Sequence, residues 1–92
     1  MENISQILNQ RAKTHGDFTY QAGYSQYLKS IIRLAKLELG TNLTPNQTEA
    51  LEMILHKVSR ILCGNPNEVD HWRDIAGYAQ LVINRLEKSL NE

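Results

Sequence analysis

The segment from Thr44 to Ala79 constrains the fold of this chain more than any other part. Thr44 followed by Pro45 predicts a helix start, because threonine caps free backbone N–H groups and proline fits the first helical position. Residues 64–67, Gly-Asn-Pro-Asn, then interrupt the helical period, and Asn67 is placed to cap a further helix. Two helices joined by so short a connection are expected to run antiparallel.

Apolar residues recur at steps of three and four along most of the chain, which is the period of an α-helix. This pattern predicts four helices without strands or internal repeats, at about residues 3–13, 19–39, 45–63 and 68–89. Gly16, Gly40 and Gly64 mark the helix ends between them. The stripes expected to pack together in the last two helices are Leu51, Ile54, Leu55, Val58, Ile61 and Leu62, then Ile75, Ala79, Val82, Leu86 and Leu90.

The length of 92 residues predicts one all-α domain over residues 1–92, a four-helix antiparallel bundle-like fold. A domain of this size buries only about 60–65% of its unfolded surface, so we expect it to gain stability as a homo-oligomer. Tyr20, Tyr24 and Tyr27 recur at helical steps in the second helix and fit either the core or a subunit interface.

The charge balance argues against general nucleic-acid binding. Ten Lys and Arg residues match ten Asp and Glu residues, whereas a DNA or RNA partner normally requires a basic footprint. No apolar run is long enough for a membrane span or a leader, so we expect a cytoplasmic protein without a membrane partner. Cys63 is the only cysteine, and no ligand spacing around it indicates a metal, so we predict no cofactor.

Several polar and aromatic side chains lie off the apolar stripes. Met53, Lys57 and Arg60 share one face of the third helix at steps of four and three, which fits either a solvated face or an anion site. Asp70 and Asp74 are one turn apart in the fourth helix. An ion pair from Asp74 to Lys57 or Arg60 is expected in either case, since it would order the two helices.

Aromatic residues accompany these charges in the fourth helix. Trp72 fits either core packing or stacking on a base, and Tyr78 continues the line of Asp70 and Asp74. Gly77 stands inside this helix, where glycine costs up to about 1 kcal/mol relative to alanine. A close helix crossing or the approach of a ligand would account for it.

The early loop is a third contributor to the candidate site. Asp17 is placed either to cap the second helix or to join a pocket, and Phe18 either packs or stacks on a ring. The ligand-binding set predicted from all three regions is Arg11, His15, Asp17, Phe18, Met53, Lys57, Arg60, Asp70, Trp72, Asp74 and Tyr78.

Catalysis has less support than binding. The chain has no nucleophile elbow, P-loop or glycine-rich dinucleotide loop. Glu49 and Glu52 form an ExxE pattern which, with Asp74, invites comparison with helical pyrophosphatases that hold magnesium on carboxylates. Because Lys57 and Arg60 share that neighbourhood, direct anion binding is favoured over metal-mediated binding.

Three motifs carry a resemblance to known proteins: the triplet Gly-Asp-Phe at residues 16–18, the helix end from Lys57 through Arg60 to Gly64, and the segment DHWRDIAGYA at residues 70–79. Together they resemble a family of small, phage-encoded helical proteins, whose layout is similar to that of the MazG-like pyrophosphatases. The chain departs from the MazG-like pattern because His71 occupies the position of the second glutamate. The resemblance therefore weakens the case for magnesium-dependent hydrolysis.

Small phage proteins of this kind include sponges, which bind nucleotide second messengers of bacterial defence and hold them away from their effectors. The resemblance thus implies a homo-oligomer in the host cytoplasm that sequesters a nucleotide-derived immune signal without catalysis. Alternatives are a magnesium-dependent pyrophosphatase and a module that binds a host protein. In the sponge, phosphate contacts are expected from Arg11, Lys57 and Arg60, base stacking from Phe18, Trp72 or Tyr78, and contacts to ribose or base amines from Asp70 and Asp74.

Overall fold

The computed structural model describes residues 3–90, which form four helices and no strand. Their bounds are Ile4–His15 (α1), Phe18–Leu39 (α2), Pro45–Cys63 (α3) and Val69–Leu90 (α4). The prediction of an all-α domain is therefore confirmed. No helix within these residues is long and apolar enough to cross a membrane.

Local capping explains where most of these helices begin and end. The Thr44 side chain accepts a hydrogen bond from the Gln47 N–H, and the Gln47 side chain bonds back to Thr44, so the predicted start of α3 has a complete capping box. Gly40 ends α2 in the left-handed conformation, at φ 66°. The predicted cap at Asn67 is wrong, because α4 begins at Val69 and the Asn67 N–H instead donates to the Asn65 side chain.

The central helix is α3, since α2 and α4 both pack against it but make no contact with each other within residues 3–90. Gln21 pairs with Ser59 while Ser25 pairs with His56, so positions rise along α2 as they fall along α3. This order shows that the two helices run antiparallel. The three helices form a layer in the order α2, α3, α4, and α1 packs against α3 and α2.

The layer has two different faces. His56 and Ser59 of α3 contact α2, whereas Lys57 contacts α4. Because successive residues of an α-helix are about 100° apart around its axis, the directions from α3 towards α2 and towards α4 differ by roughly 140°. Met53 and Arg60 lie in the narrower arc between them. We call the side of the layer that carries Met53, His56, Lys57 and Arg60 the polar face.

The wider arc of α3 carries its apolar stripe, which therefore points away from the polar face. The same angular spacing around the helix axis places part of the α2 stripe and much of the α4 stripe on this side. We call it the apolar face and define it by Tyr20, Tyr24 and Ile31 of α2, Leu51, Leu55, Val58 and Leu62 of α3, and Trp72, Ile83, Leu86 and Leu90 of α4.

Polar side chains, more than apolar ones, are enclosed within the layer. Among residues 3–90, Ala50 is the only apolar residue that is buried, whereas five polar or charged residues are buried: Gln21, Ser25, Lys57, Ser59 and His71. Ile54, Ala79 and Val82 are half-buried between α3 and α4. The apolar stripes nevertheless pack together only in part, because two flanking helices cannot cover the wide outer arc of α3. Leu62 is accordingly 67% exposed and Tyr20 69% exposed.

A close crossing fixes the end of α1 against the end of α3. A Cβ atom on Gly64 would overlap the carbonyl oxygen of Thr14, and one on Gly16 would overlap the carbonyl oxygen of Cys63. The Thr14 carbonyl also accepts hydrogen bonds from the Asn65 N–H at 3.0 Å and from His71 Nε2 at 2.8 Å. Gly77, by contrast, has nothing within 4 Å of an added Cβ, so the close crossing expected there is not found.

Candidate anion-binding site

An ion pair between a buried lysine and a half-exposed aspartate joins α3 to α4 on the polar face. Lys57 Nζ lies 2.9 Å from Asp74 Oδ2, and the lysine side chain is only 11% exposed. This contact confirms the ion pair expected from the sequence. The hydrogen bond from Lys57 and the nearby charges of Lys57 and Arg60 hold the pKa of Asp74 below its usual value, so Asp74 is ionised at neutral pH.

Arg60 lies one turn further along α3 and has an unused donor. Its Nε atom is buried and has no hydrogen-bond partner among the described residues. Burial lowers the pKa of Arg60, and the charge of Arg11 adds to this shift while Asp74 opposes it. A buried guanidinium N–H without an acceptor costs free energy, and an anionic oxygen is the partner that guanidinium binds best.

Neutral histidines border these charges. His56 Nδ1 lies 3.2 Å from both Lys29 Nζ and Ser25 Oγ. An ammonium group can only donate, so Nδ1 accepts and the His56 ring is neutral with its proton on Nε2. Burial, with the charges of Arg60, Lys29 and Lys57, lowers the pKa of His56 to about 4.

His15 closes the site from the end of α1. Its Nδ1 atom lies 2.9 Å from the Thr14 hydroxyl, and its ring centroid is 5.2 Å from that of His71. Burial lowers the pKa of His15, and the charge of Arg60 lowers it further. His71 donates from Nε2 to the Thr14 carbonyl, so its ring is held by the crossing of α1.

The local charge balance is positive although the whole chain is neutral. Four cationic side chains, Arg11, Lys29, Lys57 and Arg60, influence the titration of this cluster. Among residues 3–90, Asp74 is the one carboxylate that contributes to the same shifts. Four positive charges against one negative charge leave a net excess of three, which favours an anion with more than one charge.

An apolar groove begins where the basic cluster ends. Its volume is about 370 Å³, and its lining consists of Asn46, Glu49, Ala50, Tyr78, Leu81, Val82 and Arg85. Tyr78 belongs to both regions, because it lines the groove and its charge state also influences Arg60. A ligand with an anionic end and a flat apolar end could therefore span from Arg60 past Tyr78 into the groove.

Comparison with known proteins places the chain in a family. Residues 1–85 match the family described as "Domain of unknown function (DUF6378)". The chain belongs to the DUF6378 family. The same comparisons find no matching curated protein and no matching solved structure.

The fold of this DUF6378 domain brings seven of the eleven predicted site residues together on the polar face. Lys57 pairs with Asp74, and Arg60 is influenced by Arg11, Asp74 and Tyr78. Met53 is half-buried on the same face of α3. The residues that the polar face gathers from the predicted set are Arg11, His15, Met53, Lys57, Arg60, Asp74 and Tyr78.

Four predicted residues of the DUF6378 domain lie apart from this cluster. The Asp17 carboxylate accepts hydrogen bonds from the Thr19 and Tyr20 N–H groups and caps α2, while Phe18 is 79% exposed. Asp70 is exposed and pairs loosely with Arg73, at 3.7 Å. Trp72 lies on the apolar face and donates from Nε1 to the Pro66 carbonyl.

The sequence interpretation missed the contribution of α2 to this site. Gln21, Ser25 and Lys29 recur at steps of four, which places one polar line along an otherwise apolar helix. Gln21 donates to Ser59 at 2.8 Å, and the other two meet His56. This polar line could have been recognised from the sequence. A helix whose polar residues only face solvent rarely places Ser and Gln opposite its most apolar side.

The carboxylates of the ExxE pattern do not converge with Asp74. Glu49 lines the apolar groove, and Glu52 is half-buried one turn before His56. Within residues 3–90, no group of three or more His, Cys, Asp or Glu side chains is arranged to hold a metal ion. The geometry therefore gives no support to a magnesium site built from these three carboxylates.

The capping contact of Asp17 leads to a test of its role. Asp17→Ala should lower the free energy of unfolding by about 1 kcal/mol, because the first N–H groups of α2 lose their acceptor. Asp17→Ser should restore most of that loss, since serine also caps. Urea unfolding of the three proteins measures both effects, and a ligand affinity that falls in Asp17→Ser would instead place the carboxylate in the binding site.

Proposed function

We propose that this DUF6378 protein binds a phosphate-bearing, nucleotide-like small molecule on its polar face and sequesters it without chemical conversion. The resemblance to phage-encoded helical proteins extends this proposal to a biological role. In that setting the ligand is a nucleotide-derived signal of bacterial defence, and the protein acts as a sponge for it in the host cytoplasm. Self-association, which the sequence also led us to expect, is a separate proposal.

The observation that carries the proposal is the unpartnered Nε of Arg60 within a locally positive cluster. A phosphate at this point would accept from the Arg60 guanidinium and would be attracted by Lys57 and Arg11. Asp74 already holds Lys57 in place, so part of the cost of ordering the site is met in the folded chain. The groove beyond Tyr78 supplies apolar walls for a base or another ring.

The polar face also explains why binding is favoured over hydrolysis. Phosphoryl-transfer enzymes bring carboxylate-held metal ions to the phosphates. The corresponding place on this polar face is occupied by Arg60 and Lys57. Glu49 lines the groove, but within residues 3–90 it forms no metal-holding group with Glu52 and Asp74. We therefore propose that an anion bound by these fixed cations is retained and not converted.

Arg60→Ala is expected to weaken ligand binding about 10- to 100-fold, because a hydrogen bond to a charged group contributes roughly 1.5–3 kcal/mol. Native mass spectrometry with a panel of cyclic and linear nucleotides would identify the ligand, and titration calorimetry would then compare variants. Arg73→Ala is the matched control, since Arg73 is an exposed arginine whose ion pair is with Asp70. Full affinity in Arg60→Ala would overturn the site assignment.

The same experiment, repeated with and without magnesium, distinguishes sequestration from hydrolysis. With or without the metal, the nucleotide should be recovered unchanged and at a fixed ratio to the protein. Release of pyrophosphate that depends on magnesium would overturn the proposal in favour of the pyrophosphatase. If no nucleotide in the panel binds the wild-type chain, the proposal fails and the host-protein module becomes the leading function.

A further inference from the structure

The apolar face of the layer is too large to be left to solvent. On α2, Tyr20, Tyr24 and Ile31 are 69%, 55% and 47% exposed. On α4, Trp72 and Leu86 are 54% and 49% exposed. Scattered apolar residues are normal on a protein surface, but a continuous area of this kind marks a surface that another molecule covers.

The dimensions of the chain indicate how much surface area another molecule would bury. Its radius of gyration is 15.8 Å, whereas a compact domain of this length has about 12 Å. Its accessible surface is 6996 Å², whereas a compact monomer of 10.5 kDa exposes about 5,400 Å². The excess of roughly 1,600 Å² is within the range that each subunit of an obligate homodimer buries, about 1,000–2,500 Å².

The spacing on this face indicates what kind of surface covers it. Trp72, Ala76, Ala79, Ile83, Leu86 and Leu90 follow one another at alternating steps of four and three along α4. Tyr20, Tyr24, Tyr27, Ile31 and Leu34 do the same along α2. Alternating steps of this kind form the seam by which one helix packs against another helix.

The composition of the face favours a second copy of the chain as its cover. The residues named in these two seams are uncharged, and the next position of the α2 seam, Glu38, lies near the C-terminal end of α2. Two such seams can meet across a twofold axis. The excess area and the seams therefore point to the same occupant.

We propose that a second copy of this chain covers the apolar face and forms a homodimer of two stacked three-helix layers. Both polar faces then point outward, and each keeps its own basic cluster accessible. This inference is independent of the ligand-binding proposal. If the protein is monomeric but binds a nucleotide, the dimer proposal fails and the binding proposal stands. If it is dimeric but binds no nucleotide, the dimer proposal stands and the binding proposal fails.

Leu62→Glu is expected to weaken self-association at least about 100-fold, because twofold symmetry places two buried charges in one apolar interface. Leu81→Glu is the matched control. Leu81 is 62% exposed against 67% for Leu62, but it lines the groove on the polar side. Because Leu62 is already exposed in the single chain, its replacement leaves the helices themselves intact, which circular dichroism checks.

Sedimentation of the full chain at micromolar concentration is the measurement. The wild type and Leu81→Glu should sediment as a dimer of about twice the 10.5 kDa chain mass, and Leu62→Glu as a monomer. Trp72, the only tryptophan, adds a second readout, because its emission should shift to longer wavelength when the dimer separates. A monomeric wild type, an intact dimer in Leu62→Glu, or equal dissociation of both variants would overturn the proposal.

Discussion

Gly64→Ala is expected to lower the free energy of unfolding by about 2–4 kcal/mol, because forcing extra atoms into a closely packed site costs about 1–3 kcal/mol and hydrogen bonds are lost as well. The new methyl group would overlap the Thr14 carbonyl oxygen and approach the backbone of His15 and Gly16. Backbone atoms cannot rotate away as a side chain can. The end of α1 would therefore have to leave α3, and the two hydrogen bonds accepted by Thr14 would be lost with it.

The cause of this loss is contact and not backbone strain, since Gly64 has φ −121°, which any residue adopts. Gly77→Ala is the matched control, because nothing lies within 4 Å of its added Cβ and alanine is the better helix former. It should raise stability by up to about 1 kcal/mol. Urea unfolding at one fixed chain concentration compares the two, and a Gly64→Ala protein as stable as the wild type would contradict the close crossing.

Acidification from pH 7 to pH 4 is expected to destabilise the protein through its neutral histidines. The pKa of His56 falls from 6.5 in the unfolded chain to about 4 in the folded chain. Between these values the unfolded chain binds more protons than the folded chain, so stability rises with pH and falls on acidification. After allowance for solvent screening of this half-exposed group, the expected loss from His56 is about 1–2 kcal/mol.

His15 acts in the same direction, since burial lowers its pKa as well. Asp74 does not interfere in this window, because its pKa lies below its usual value of 3.8 and its contribution is lost only at lower pH. His56→Asn provides the control, as an amide oxygen can accept from Lys29 and Ser25 without titrating. Urea midpoints at several pH values should fall less steeply in that variant, and equal slopes would rule out His56 as the cause.

Local signals in the sequence were sufficient to place the helices and one key contact. The Thr44-Pro45 start, the Gly40 end and the Asp17 cap all follow from how free N–H and carbonyl groups are satisfied near a helix end. The ion pair between Lys57 and Asp74 was also predictable, because opposite charges on adjacent antiparallel helices were available.

The tertiary arrangement was not predictable from the same signals. Helical periodicity shows which residues share a face, but it does not show whether that face meets the chain itself or another molecule. The stripe containing Leu62 was therefore assigned to the interior, but Leu51 and Leu62 of that stripe lie exposed. The closeness of Gly64 to Thr14 depends on where α1 crosses α3, which is a property of distant residues and leaves no local pattern.

The small buried polar residues have a consequence for how α2 is aligned along α3. Gln21 donates to Ser59, and the Ser59 hydroxyl donates in turn to the His56 carbonyl. A slide of α2 by one helical turn would separate Gln21 from Ser59 and Ser25 from His56 and would leave the buried Gln21 amide without this partner, whereas apolar contacts alone would lose little. The alignment of α2 along α3 is therefore set by these buried polar pairs. Substitutions of the exposed leucines and tyrosines can then change the outer surface of the layer without shifting the helices that carry it.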